Sequence, residues 1–172
     1  VVIDLSGFFG VVSKEDCVTE VYFGTDYHSH LGTSTGGMAI WNGKGFNTSI
    51  HNIENTQFRA KFENELHSFK GNMGIGCISD TEPQPLTIRS HLGQYAISTV
   101  SKINNLYEIA ENEFTQRNIH FLETSKGTIN PTELVSVIVD QESSFKEGLL
   151  KAQELIEGSC SILLLTPQGI YA

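Results

Sequence analysis

The sequence predicts an antiparallel α+β fold. Three features carry that reading: strands that arrive in hairpins, helices that gather outside them rather than alternating with them, and a globular composition with 39% apolar and 18% charged residues. Residues 1–13 read as an apolar central strand, although Gly7 and Gly10 weaken it unless something must approach its backbone. Residues 16–30 carry Cys17, Val21, Tyr22 and Tyr27 at helical spacing, interrupted by Gly24. Met38-Ala39-Ile40-Trp41 is a short strand, and Asn42-Gly43-Lys44-Gly45 turns it into a second strand at residues 46–50.

Phe58, Phe62, Leu66 and Phe69 share one stripe of a predicted helix that packs on a sheet and stops at Lys70-Gly71. Residues 73–78 read as a buried strand and 79–85 as a polar, proline-broken loop. Residues 86–88 and 95–100 form a hairpin about Gly93-Gln94, followed by a helix with Leu106, Ile109, Ala110 and Phe114 inward. Asn130-Pro131-Thr132-Glu133 is a helix start, with Asn130 as N-cap, Pro131 first in the helix and Glu133 near its positive end; this helix runs to about Gln141. A further helix from Ser143-Ser144 buries Phe145, Leu149, Ala152, Leu155 and Ile156 and stops at Gly158. Two apolar strands around Thr166-Pro167-Gln168-Gly169 end the chain.

At 172 residues the chain is sized for one domain. A net charge of −9 with eleven Lys and Arg argues against nucleic acid and anionic membranes as partners, since both need a dense cationic surface. The longest apolar run, residues 161–165, is far too short to span a bilayer, so the expected location is cytoplasmic. Cys17, Cys77 and Cys160 are odd in number and widely spaced, which predicts reduced, mostly buried thiols rather than disulfides or zinc. The sequence opens on Val1 rather than Met and closes on a strand pair, so a longer parent is expected.

Ordered motifs then add a family resemblance. Ser6-Gly7-Phe8-Phe9-Gly10-Val11 resembles the opening Cys-Gly-φ-φ-Gly-φ of the class II, N-terminal-nucleophile glutaminase domain of amidophosphoribosyltransferases. Ser29-His30-Leu31-Gly32, with Gly36-Gly37-Met38-Ala39 behind it, is similar to the family's Gln-His-Arg-Gly-x-x-x-x-Gly. Residues 74–81, Gly-Ile-Gly-Cys-Ile-Ser-Asp-Thr, stand where the family has Gly-φ-Gly-His-φ-Arg-Tyr-Ser-Thr, and its Gln-Pro is kept as Gln84-Pro85. Residues 98–103 fall on the family's Ala-His-Asn-Gly-Asn-Leu, residues 129–133 on its Ser-Asp-Thr-Glu with Pro131 inserted, and residues 158–172 on its late strand pair.

The resemblance covers the whole chain and implies a four-layer αββα sandwich of antiparallel sheets, the N-terminal-nucleophile hydrolase fold. Residues 1–172 would then be a glutaminase-like domain of a longer parent with a phosphoribosyltransferase-like domain after it. In the family a terminal Cys attacks the glutamine amide with its own α-amine as base, and the ammonia released serves purine biosynthesis. No cofactor or metal is implied. The partners implied are glutamine or another small molecule, the phosphoribosyltransferase-like domain and a possible homo-oligomer.

The chemistry is where this sequence departs from the family. The nucleophile position is Ser6, preceded by five residues, so it has neither thiol nor free α-amine, and a nucleophile without a base in reach is weak. The oxyanion-hole positions are Val100 and Ser101, and Val100 has no side-chain donor; one lost donor costs about 3 to 4 kcal/mol of transition-state stabilisation. The Arg that clamps the substrate carboxylate maps to Ser79, and the Asp that holds its amine maps to Asn130. Four elements lost together predict a catalytically inactive pseudo-glutaminase with a structural or regulatory role. The alternatives are an amidohydrolase that uses Ser6 after removal of residues 1–5, and a small-molecule sensor.

Other groups receive plainer readings. His28 and His30 lack a third ligand at suitable spacing and read as a partly exposed polar pair. Asp80 and Glu82 read as a solvated acidic loop. Gly71 to Gly76 lacks the Gly-Lys-Ser/Thr ending of a phosphate loop.

Overall fold

The computed structural model describes residues 6–30, 34–117, 124–125 and 128–172, with only the backbone of 114–117, 124–125 and 128. Residues 1–5, Leu31 and Gly32, and the Phe114 side chain, on which parts of the sequence reading fall, lie outside the described residues. The chain divides into two compact units, the first made of Val1–Arg89, Gln94–Val100 and Ile162–Ala172, the second of Ser90–Gly93 and Ser101–Ser161.

The first unit is built on a four-stranded antiparallel sheet of β1 (Gly7–Val12), β2 (Thr35–Trp41), β3 (Phe46–Asn52) and β4 (Met73–Ser79), in the order β1-β4-β2-β3. Strand alternation sends side chains to two faces. On one face Met38, Ile40 and Ile78 join α1 (Val18–Tyr27) and α2 (Phe58–Phe62) in a cluster with Val21, Tyr22, Phe58 and Phe62. Phe58 and Phe62 stack at 4.3 Å and are fully buried, a burial worth about 1.5–3 kcal/mol each. On the other face Ala39, Met73 and Ile75 meet Ala96, Leu163 and Leu165 of a second sheet.

Two glycines set how closely α1 lies on the sheet. A Cβ at Gly76 would overlap Thr25 Oγ1, and one at Gly24 would enter the Phe9 ring. The interruption that weakened the helix in the sequence is therefore the place where β1 packs against it. The β2–β3 hairpin closes on Trp41 and Phe46, with Asn42 Oδ1 accepting from the backbone N–H groups of Lys44 and Gly45 at 2.9 Å each.

The second sheet contains β5 (Leu86–Ser90), β6 (Gly93–Ile103), β9 (Gly158–Thr166) and β10 (Gly169–Tyr171), in the order β10-β9-β6-β5. The second unit also holds α3 (Leu106–Arg117), the short pair β7 (Thr124–Ser125) and β8 (Thr128–Ile129), α4 (Pro131–Val139) and α5 (Phe145–Leu155). Gly148 lets α5 rest on the end of α4, since a Cβ there would overlap the Val139 backbone. The architecture is thus α+β with antiparallel sheets. Among the described residues no helix is long and apolar enough to cross a membrane.

Four expectations need correction. Strand β1 is the outermost of its sheet, not central; Gly10 serves close approach, for a Cβ there would press on Ile170 and Leu163. The helix expected over residues 58–69 stops at Phe62 and resumes only as a 3-10 turn, Leu66–Ser68. The stripe still packs inward, but the Ser68 hydroxyl bonds back to the Glu65 carbonyl at 2.6 Å, a local competition that ends helices. The β5–β6 turn sits at His91 and Leu92, two residues earlier than read. Gly158 does not cap α5, which ends at Leu155; with φ of 125° it opens β9, where a Cβ would overlap the Lys102 carbonyl.

Candidate functional site

Ser6 and Ser79 mark adjacent ends of two paired strands. β1 and β4 are antiparallel with Gly7 opposite Ile78 and Phe8 opposite Cys77, so Ser6 stands one step beyond the ladder, opposite Ser79. Phe8 and Ile75 pack toward the second sheet, and alternation puts Ser6 and Ser79 on that same side. Ser6 and Ser79, which the resemblance assigns to the nucleophile and clamp positions, are therefore neighbours across the strand pair.

The Ser79 side chain is committed elsewhere. It is buried to 1% exposure, and its Oγ accepts from the N–H groups of Glu82 at 3.2 Å and Thr81 at 3.3 Å and lies 3.2 Å from the Thr81 hydroxyl. These bonds fold residues 79–82 back on themselves. Thr35 adds to the knot, its hydroxyl reaching the Ser79 carbonyl at 3.1 Å and the Glu82 carbonyl at 3.3 Å. Ser79 thus acts as a staple of its own loop.

The same loop overturns one reading. Glu82 is not solvated but 2% exposed, and its carboxylate accepts from Gln84 Nε2 at 3.1 Å. Asp80, half-buried, accepts from Ser34 N–H at 3.0 Å. Gln84, also buried, uses its amide as an extra stretch of backbone: Thr99 N–H donates to Oε1 at 2.7 Å and Nε2 donates to the Thr99 carbonyl at 3.0 Å. The Gln84–Pro85 peptide, which is cis, passes beneath Gly37, whose Cβ would collide with the Gln84 carbonyl. Gln84 thereby fixes β6 just before Val100.

Val100 and Ser101 lie inside the continuous strand β6, both half-buried. Ser101 and Asn130 belong to the second unit. Asn130 is the N-cap of α4: its Oδ1 accepts from Thr132 N–H at 2.9 Å and Glu133 N–H at 3.1 Å, and the residue is fully buried. The side-chain oxygen of Asn130 is thus spent on the helix start.

Burial pushes the Cys77 thiol up to about 12, with the Ser98 hydroxyl opposing and Glu82 adding to the shift. Burial, then Asp16 and Glu20, push Cys17 up to about 11. Both are inert thiols at neutral pH. Among the described residues no group of three His, Cys, Asp or Glu is arranged to hold a metal ion; His28 is half-buried and His30 exposed.

One constellation escaped the sequence reading because its members lie far apart in the chain. Ser49 and His51, two apart on β3, meet Glu65: His51 Nε2 is 2.8 Å from Glu65 Oε1 and 3.0 Å from Ser49 Oγ, and Ser49 Oγ also donates to Glu65 Oε2. Both partners engage the same imidazole nitrogen. A catalytic relay needs the nucleophile on one ring nitrogen and the carboxylate on the other, so this cluster is a latch between β3 and the residues after α2. The alternating Ser-x-His on a strand was its only signal.

The geometry now meets known proteins. No protein-family profile matches the chain. It is 23% identical over 175 residues to an amidophosphoribosyltransferase of Synechocystis sp., covering 95% of this chain and 34% of that one. It superposes on the glutamine phosphoribosylpyrophosphate amidotransferase of B. subtilis, solved with ADP and GMP, with a TM-score of 0.77, 20% identity and 93% of this chain covered. The chain has the fold of the matched part of that amidotransferase. A structure described as the allosteric regulatory enzyme of purine biosynthesis gives a TM-score of 0.79 at 19% identity. The resemblance read from the ordered glycines and closing strands therefore holds, and the chain spans about a third of the length of these relatives.

Proposed function

We propose that this chain is an amidophosphoribosyltransferase-like glutamine amidotransferase domain that does not hydrolyse glutamine and serves a structural or regulatory role beside a phosphoribosyltransferase-like domain of a cytoplasmic parent. The observation that carries the reading is Ser79: the substrate-clamp position holds a buried hydroxyl consumed by its own loop. A position merely awaiting an arginine would leave that space and those N–H groups to solvent or ligand. Ser6, a hydroxyl with five residues before it, and Val100, without a side-chain donor, support the same conclusion.

Glutamate release from glutamine is the direct test. The chain releases none above the uncatalysed background, both as it stands and with residues 1–5 removed and Ser6→Cys introduced. Turnover by the unaltered chain comparable to an ordinary amidotransferase refutes the proposal. Activity restored by the trimmed Ser6→Cys form alone refutes the claim that the clamp is lost as well.

A further inference from the structure

We infer that Asn42, at the tip of the β2–β3 hairpin, is a modification site: it deamidates spontaneously to aspartate and isoaspartate, and the folded hairpin promotes the reaction. Hydroxide takes the proton of the Gly43 N–H, and the backbone nitrogen attacks Cγ of Asn42. The Cγ–Nδ2 bond breaks and Nδ2 leaves as ammonia, its proton supplied through water. The cyclic imide then takes up one water. Opening at Cγ restores the main chain with an aspartate, and opening at the backbone carbonyl leaves an isoaspartate whose chain runs through Cβ and Cγ. Either product takes the net charge of −9 one unit further negative. Neither Ser6, Ser79 nor glutamine takes part.

The nucleophile is the first argument. Asn42 and Gly43 are exposed, and Gly43, with φ of 88°, has nothing within 4 Å of where a Cβ would stand. Among the described residues no hydrogen bond engages its N–H. Asn52, Asn55, Asn72 and Asn104 are exposed as well, but Ile53, Thr56, Met73 and Asn105 follow them. Side chains there obstruct the backbone approach that glycine allows.

The electrophile is the second. Asn42 Oδ1 accepts from the N–H groups of Lys44 and Gly45 at 2.9 Å each, while Nδ2 donates to Asn47 Oδ1 at 3.0 Å. The bond to Lys44 closes a side-chain mimic of a β-turn, which folds the carboxamide back toward the Gly43 nitrogen. As the nitrogen attacks, negative charge collects on Oδ1, where both donors already stand, so they hold the developing oxyanion better than the starting amide. Asn52 supplies an internal comparison. Its Oδ1 accepts from Glu54 N–H at 3.0 Å in the same kind of turn, but a buried isoleucine follows it.

The test incubates the folded chain at pH 8 beside the chain unfolded in guanidinium chloride, and peptide mapping by mass spectrometry scores aspartate and isoaspartate at every asparagine. In the folded chain Asn42 converts ahead of Asn52, Asn55, Asn72 and Asn104. It converts about tenfold faster than in the unfolded chain, the worth of one modest hydrogen bond gained in a transition state. Lys44→Pro removes one of the two donors at an exposed position and, in protein that keeps the parent melting temperature, slows the folded reaction severalfold. No conversion at Asn42, conversion as fast in the unfolded chain as in the folded one, or an unchanged rate in folded Lys44→Pro overturns the inference.

Discussion

Replacing Gln84 with alanine removes a buried amide that ties the loop before β5 to Thr99 of β6, and the structure sets the size of the loss. Thr99 N–H and C=O each lose a hydrogen bond, at 2.7 and 3.0 Å, and Glu82 loses a third at 3.1 Å. Withdrawing a partner from a buried polar group costs about 1–3 kcal/mol. Counting the two backbone groups alone, the expected destabilisation is about 2–6 kcal/mol, a large fraction of the roughly 5–15 kcal/mol that holds an ordinary domain together. Gln84→Glu keeps the volume but turns an acceptor toward the Thr99 carbonyl and a charge toward Glu82, so it is as harmful at neutral pH. Urea denaturation followed by far-ultraviolet circular dichroism measures both variants. A loss below about 1 kcal/mol for Gln84→Ala would refute the idea that this amide stands in for backbone pairing.

Ser79→Arg, the reversal that would rebuild the family's clamp, instead breaks the 79–82 staple and forces a guanidinium into a buried position; we expect a lower melting temperature and no glutamate release, and a stable, active variant contradicts this. Asn130→Ala removes the α4 cap and costs about 1–2 kcal/mol in denaturation, whereas Asn130→Asp, an equally good cap, stays near the parent; equal loss in both variants would show that capping is not its role. The thiols give a pH dependence. Their folded values, about 11 for Cys17 and about 12 for Cys77, lie above the ordinary 9.0, so the folded state holds these protons more tightly. The stability they contribute is complete below pH 9 and lost as pH rises toward 11–12. Denaturation midpoints at pH 8 and pH 10.5 check this, and half-buried Cys160 should be the first thiol to react with an aromatic disulfide under native conditions.

The order of hairpins and helices, the Asn130-Pro131 helix start and the inward stripe at Phe58 and Phe62 were legible in the sequence, because each follows from spacing or capping within a few residues. The sequence also marks Ser6, Ser79, Val100 and Asn130 as positions where the resemblance expects a thiol, a charge or a side-chain donor that these residues do not carry. Tertiary structure decided what those positions do instead. Ser79 became a staple because Thr81 and Glu82 present N–H groups to it, and Glu82 could be buried because Gln84 bonds its carboxylate, facts that the polar look of the loop concealed. The outer place of β1 and the meeting of Ser49 and His51 with Glu65 were likewise beyond local reading. Each depends on contacts between residues tens of positions apart, which the chain's periodicity does not encode and only the pairing of strands brings about.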